Sequence, residues 1–154
     1  MTPTQYFNQY LKDTGKKPDS VTYSGELIFD DTGFIGSEQV RMVLNGQKKA
    51  AFTAFDYFDI NLEKIPVAGC EYIVEDTSEK PCGIIRISDV KVLPFNEISW
   101  ELAQLSGEDE NLEEWRERNM ELFLEEGDLS GFEFNESSLV VVEIFDLIYS
   151  KPAE

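Results

Sequence analysis

The chain contains no histidine and only two cysteines in 154 residues. Imidazole acid-base chemistry is therefore excluded, and a zinc site lacks its usual ligands; neither a metal nor a cofactor is expected. Positive charge is scarce as well: 13 Lys and Arg face 31 Asp and Glu, a formal charge of -18. Such a field repels polyanions over a Debye length of about 8 Å, so duplex DNA is not an expected partner. No apolar run reaches the ~18 residues of a membrane span, and Met1 opens no basic, apolar leader. The expected location is the cytoplasm, with no membrane partner and with Cys70 and Cys82 as free thiols.

What is present is core-forming material. With 42% hydrophobic and 12% aromatic residues, the chain suffices for one domain and is short for two, so a single domain over residues 1–154 is expected. Residues 1–20 read as a helix and linker. Thr2-Pro3 has the form of an N-cap followed by proline in the first turn, Tyr6, Phe7, Tyr10 and Leu11 share a face, and Gly15 closes the helix. Val21 to Gly36 lacks periodicity and reads as loop with one short strand over Glu26 to Phe29. Ser37 to Asn45 has helical spacing, and Ala50 to Phe58 reads as a strand. Glu71 to Glu75 and Cys82 to Leu93 flank a turn cluster and predict a β-hairpin that sets the two cysteines on neighbouring strands.

Asn96 reads as the cap of a short helix from Glu97 to Leu105. Asn111 and Glu114 have capping-box spacing for a helix from Leu112 to about Glu126, ended by Gly127, with Leu112, Trp115, Asn119, Leu122 and Phe123 on its core face. Leu139 to Tyr149 reads as a final strand, buried on both sides near Val140 to Val142. This order predicts a mixed α+β fold whose sheet curls toward a barrel.

The stretch from Gly46 to Phe58 is the organising one. Two lysines follow a glycine in an acidic chain, and aromatics come at once. Lys48 then falls at a helix-to-strand corner, while Lys49 alternates to the surface. Leu44-Asn45-Gly46-Gln47-Lys48-Lys49-Ala50-Ala51 resembles the Gly-x-Lys-x-x-Thr segment of the ASCH family. Further stretches fit in order: Leu62 to Tyr72, Gly83 to Phe95, Ala103 to Phe123 with Gly107-Glu108-Asp109 and Trp115-Arg116, and the Glu143 to Tyr149 strand. Phe34-Ile35-Gly36 stands for the family's aromatic-glycine element, and the resemblance spans residues 33–149.

The resemblance implies a PUA-like curled β-barrel with helices packed around it, a cleft at one side, and binding of RNA or nucleosides. It places a functional lysine at Lys48 and a functional glutamate at Glu108, with Asp109 as the rival in register. Lysine and carboxylate can act as an acid-base pair, which makes Lys48 and Glu108 the catalytic candidates, or as a clamp for an amide edge. Some members are amidohydrolases for N4-acetylcytidine that use a threonine three residues past the lysine, and others are ribonucleases. Here that position is Ala51, and Asn119 stands where the family has a histidine. Both replacements remove reactive groups and favour binding over cleavage.

The ligand-binding set is Lys48, Thr53, Tyr57, Arg86, Glu108 and Asp109, of which Thr53, Glu108 and Asp109 follow from the resemblance. Thr53 is the nearest hydroxyl to Ala51, but about 7 Å along an extended strand unless the backbone bulges. Tyr57 is the candidate stacking platform, whereas Phe52, Phe58, Trp100 and Trp115 are assigned to packing. Arg86 interrupts an apolar strand, so it requires a partner or a cleft. The leading reading is a binding module for single-stranded RNA or a small nucleoside or nucleotide. A hydrolase on the same residues comes second, and an acidic protein-interaction domain third.

Overall fold

A computed structural model describes residues 1–28 and 34–151. Its elements in chain order are α1 (Pro3–Thr14), β1 (Thr22–Ile28), α2 (Phe34–Leu44), β2 (Ala50–Ala54), α3 (Phe55–Ile60), β3 (Cys70–Glu75), β4 (Pro81–Pro94), α4 (Trp100–Ala103), α5 (Leu112–Ser130) and β5 (Leu139–Tyr149). The five strands have the order β1-β3-β4-β5-β2. β1 runs parallel to β3, whereas β3 with β4 and β2 with β5 are antiparallel. The mixed α+β class is as expected. Barrel closure is not seen, because β1 and β2 end the strand order and do not pair with each other among the described residues.

The chain divides into two compact units. One comprises Met1–Lys48, Val67–Ser88 and Phe145–Glu154; the other comprises Lys49–Pro66 and Asp89–Ile144.

In the first unit, Thr2 and Gln5 form a reciprocal capping box, and Gly15 ends α1 in the left-handed conformation at φ 69°. The helix buries Tyr6, Phe7, Tyr10 and Leu11 against Ile73 of β3 and Ile84 of β4. Tyr149 meets Tyr6 and Tyr10 at ring-centroid distances of 5.7 and 5.2 Å, and each such pair contributes about 0.5–1.5 kcal/mol beyond its buried area. Gly83 packs tightly, since an added Cβ would lie 3.1 Å from both the Tyr149 carbonyl oxygen and Leu44 Cδ2.

In the second unit, Trp115 is fully buried, stacks on Phe95 at 5.4 Å and takes the edge of Phe52 at 5.0 Å. Phe123, Phe134, Ala54, Val140 and Val142 complete this core. Asn111 Oδ1 accepts from the Glu114 N–H, while the Glu114 carboxylate accepts from Glu110 N–H rather than from Asn111. The capping box is thus half made.

Several expectations are corrected. The strand placed at Glu26 to Phe29 begins at Thr22, because its parallel partner β3 supplies the pairing that local periodicity cannot reveal; Phe29 lies outside the described residues. Ala50 to Phe58 is not one strand, since Phe55 opens α3 and Phe58 is buried from that helix. A short apolar run does not distinguish helix from strand by periodicity. The helix before Leu105 is capped by Ser99, not Asn96, and α5 runs past Gly127 to Ser130. Gly127 instead allows a close return of the chain, because a Cβ there would lie 2.4 Å from the Phe132 carbonyl oxygen. Leu122 is exposed rather than on the core face of α5. Phe34-Ile35-Gly36 forms the start of α2, and the side chains of these residues lie outside what is described.

Candidate functional site

Lys48 belongs to the first unit. Gly46 takes a positive φ of 80°, and Lys48 N–H donates to the Met42 carbonyl at 2.9 Å, which folds the corner back on α2. The side chain is withdrawn to 7% exposure, whereas Lys49 is exposed as expected. A lysine this buried is held by its surroundings rather than solvated.

The same unit carries a polar network that sequence reasoning found only in half. Arg86 sits opposite Glu71 in the β3–β4 register. Its Nε and Nη2 donate to Glu71 Oε2 at 2.9 and 2.7 Å, and Tyr10 Oη donates to Oε1 at 2.8 Å. Lys16 Nζ donates to Tyr10 Oη at 2.8 Å. Glu71 is 1% exposed, yet three donor atoms serve its two oxygens. The Glu71 hydrogen bond holds Arg86 above its ordinary range, and burial followed by Glu71 pushes Tyr10 up to about 12. Arg86 therefore has the partner its setting demanded. Glu71 was missed, although a charge inside the apolar run from Cys70 to Val74 is the same signal that singled out Arg86.

The other candidates lie in the second unit. Asp109 accepts from Arg118 through both oxygens, at 3.0 Å from Nε and 2.7 Å from Nη2, and Glu108 pairs with Arg118 Nη2 at 3.2 Å. The turn thus brings both acidic candidates to one guanidinium that the sequence did not single out. Burial pulls the Arg118 pKa down, but Asp109 and Glu108 outweigh it and leave the group above its ordinary range. Lys49 N–H donates to the Leu105 carbonyl at 2.7 Å, which ties the start of β2 to this turn.

Thr53 and Ala51 lie on β2, whose register with β5 runs unbroken from Ala50↔Ile144 to Ala54↔Val140. With no bulge, Thr53 does not slide to the Ala51 position. Asn119 is 5% exposed and donates to the Trp115 carbonyl of its own helix at 2.9 Å. Tyr57 is half-buried on α3, edge-on to Phe58 at 5.9 Å. Phe52 and Phe58 pack into the structure, as assigned.

Glu143 also escaped the sequence reading. It pairs directly with Ala51, and burial alone pushes it up to about 7. The available signal was a carboxylate immediately after the buried Val140 to Val142 run.

The ASCH domain model matches residues 26–149. The chain belongs to the ASCH family. Among solved structures it is similar to an ASCH domain from Lactobacillus crispatus JV V101, with TM-score 0.84 and 24% identity, covering 95% of this chain and 93% of that one. It is also similar to a protein from Enterococcus faecalis V583, with TM-score 0.82 and 24% identity, covering 96% and 88%. No curated protein matches. The two structural likenesses establish that this ASCH chain shares their fold. Among the described residues, no helix is long and apolar enough to cross a membrane.

Proposed function

We propose that this chain is an ASCH domain that binds single-stranded RNA or a small nucleotide or modified nucleoside, with Lys48 and Glu108 as ligand contacts. The observation that carries the reading is the withdrawal of Lys48 to 7% exposure at its glycine corner, in a chain whose family match spans residues 26–149. A compact, partly desolvated ammonium suits a phosphate or a base carbonyl. The net charge of -18 restricts nucleic acid to short or end-directed contacts. In this reading residues 1–154 act as one domain in the cytoplasm, with a PUA-like curled sheet.

Binding is favoured over hydrolysis because Ala51 has no hydroxyl, Thr53 keeps its own register and the Asn119 amide serves its own helix. Titration of cytidine and a short single-stranded oligocytidine, followed by ligand-detected NMR, tests the proposal. Lys48→Ala should weaken both by tenfold or more, since about 1.4 kcal/mol corresponds to a factor of ten. Lys49→Ala, on the exposed neighbour, should change neither by more than about twofold. Equal effects of the two substitutions would reduce the lysines to a general electrostatic contribution.

A further inference from the structure

The β2–β5 pair has two unlike faces. Alternation places Ala50, Phe52 and Ala54 with Ile144, Val142 and Val140, and this face joins the apolar core of the second unit. The opposite face carries Ala51, Thr53, Val141 and Glu143. Val141 is fully buried, whereas Ala51, Thr53 and Glu143 are each half-buried. Val141 is thus the covered member of this face, and the other three are partly open.

Glu143 is the titratable member of the partly open set. Directly opposed side chains on antiparallel strands have Cβ atoms about 4.5–5.5 Å apart. The residue paired with Glu143 is Ala51, whose methyl offers no hydrogen bond. Among the described residues Glu143 has no hydrogen-bond or ion-pair partner, and burial is the sole cause of its altered titration. The contrast with Glu71, fully buried and bonded through both oxygens, is direct. Just before Ala51, the Lys49 N–H bond to Leu105 brings the turn that carries Glu108 to the same end of β2.

We propose that the carboxyl of Glu143 is a ligand contact on this half-open face, its two oxygens pairing with an adjacent hydrogen-bond donor and acceptor of the kind a nucleobase presents along its pairing edge. A carboxyl pushed up to about 7 carries a proton in a large fraction of molecules at neutral pH. It then offers one donor and one acceptor side by side, which matches the amino group and ring nitrogen of cytosine or adenine. An ionised carboxylate, with acceptors only, does not. The proposal rests on the nucleotide- or nucleoside-binding reading above and adds a recognition residue to it.

The test titrates cytidine into the whole chain and into Glu143→Gln, Glu143→Ala and Lys48→Ala. The Gln amide keeps one donor and one acceptor, so this variant should bind within about threefold of the parent, while the Ala variant should lose at least tenfold. Because truncation can disturb folding, a second readout uses the parent chain alone: the ¹³C signal of the Glu143 carboxyl should shift as cytidine saturates. Unchanged affinity in Glu143→Ala, or a carboxyl signal that stays fixed at saturation, overturns the proposal, and loss in Lys48→Ala alone would leave the broader reading standing. A parent chain that binds neither cytidine nor single-stranded RNA overturns both.

Discussion

Glu71 in the first unit and Glu143 and Glu126 in the second are buried in opposite ways, with Glu75 of the first unit also raised mainly by burial. In the first, Glu71 is sealed from water but saturated with donors from Arg86 and Tyr10. In the second, Glu143 and Glu126 are raised by burial alone. Donors satisfy a buried carboxyl and lock its surroundings, whereas burial without them disfavours the charged form and leaves its oxygens unmet. The first arrangement is structural. The second is where a ligand finds an unmet hydrogen-bonding group.

The largest expected effect comes from breaking the saturated cluster. Arg86→Met keeps much of the aliphatic stem but leaves Glu71 with only Tyr10 as a donor among the bonds described. Removing one partner of a buried pair typically costs 3–5 kcal/mol, and the Arg86 side chain is 40% exposed, so about 3 kcal/mol is expected. Adding Glu71→Leu to Arg86→Met should recover most of it, since an apolar pair leaves no stranded charge. Denaturant unfolding of the three proteins measures this. Additive losses in the double variant would show that the pair stabilises through packing and not through charge compensation.

Comparable in size is a pH effect confined to the unpartnered class. Glu143 rises from 4.5 to about 7 on folding, so the folded chain holds this proton over a range where the unfolded chain has released it. Stability therefore falls as pH climbs from about 4.5 to above 7, by about 3 kcal/mol for this group alone. Glu143→Gln removes that share. The variant should match the parent near pH 4 and exceed it at pH 8 by up to about 3 kcal/mol. Glu75 and Glu126, also raised mainly by burial, keep their own contributions in both proteins, so the difference between them is the readout. A difference that does not grow with pH sinks the argument.

The sequence showed the ends of the chain better than its middle. Thr2, Gln5 and Gly15 are local signals read within one helix, and the run from Leu139 to Tyr149 is long and apolar enough to admit only a buried strand. The start of β1 was hidden because its partner lies far along the chain, and α3 because four residues, Phe55 to Phe58, suit either period. The same limit governs the candidate site. Arg86 and Glu108 drew notice as charges in telling places, but Glu71 and Arg118 are recognised as their partners only once strand register and helix phase bring them together.

The smallest expected effect probes the unpartnered class where no ligand is proposed. Glu126 Oε1 lies buried on α5 without a hydrogen-bond partner among the described residues, and burial raises the group's pKa. It also stands near the C-terminal end of a helix with no basic residue in its last turn, where negative charge meets the negative end of the dipole. Glu126→Met keeps helix propensity and side-chain length while removing the stranded oxygen. At pH 8 it should stabilise the protein by about 1 kcal/mol, and near pH 4, below the ordinary carboxyl value, by less. Unfolding midpoints at the two pH values decide the matter. A loss of stability at pH 8 would mean that the Glu126 carboxyl is favourably held after all, and that burial without partners does not define a class shared with Glu143.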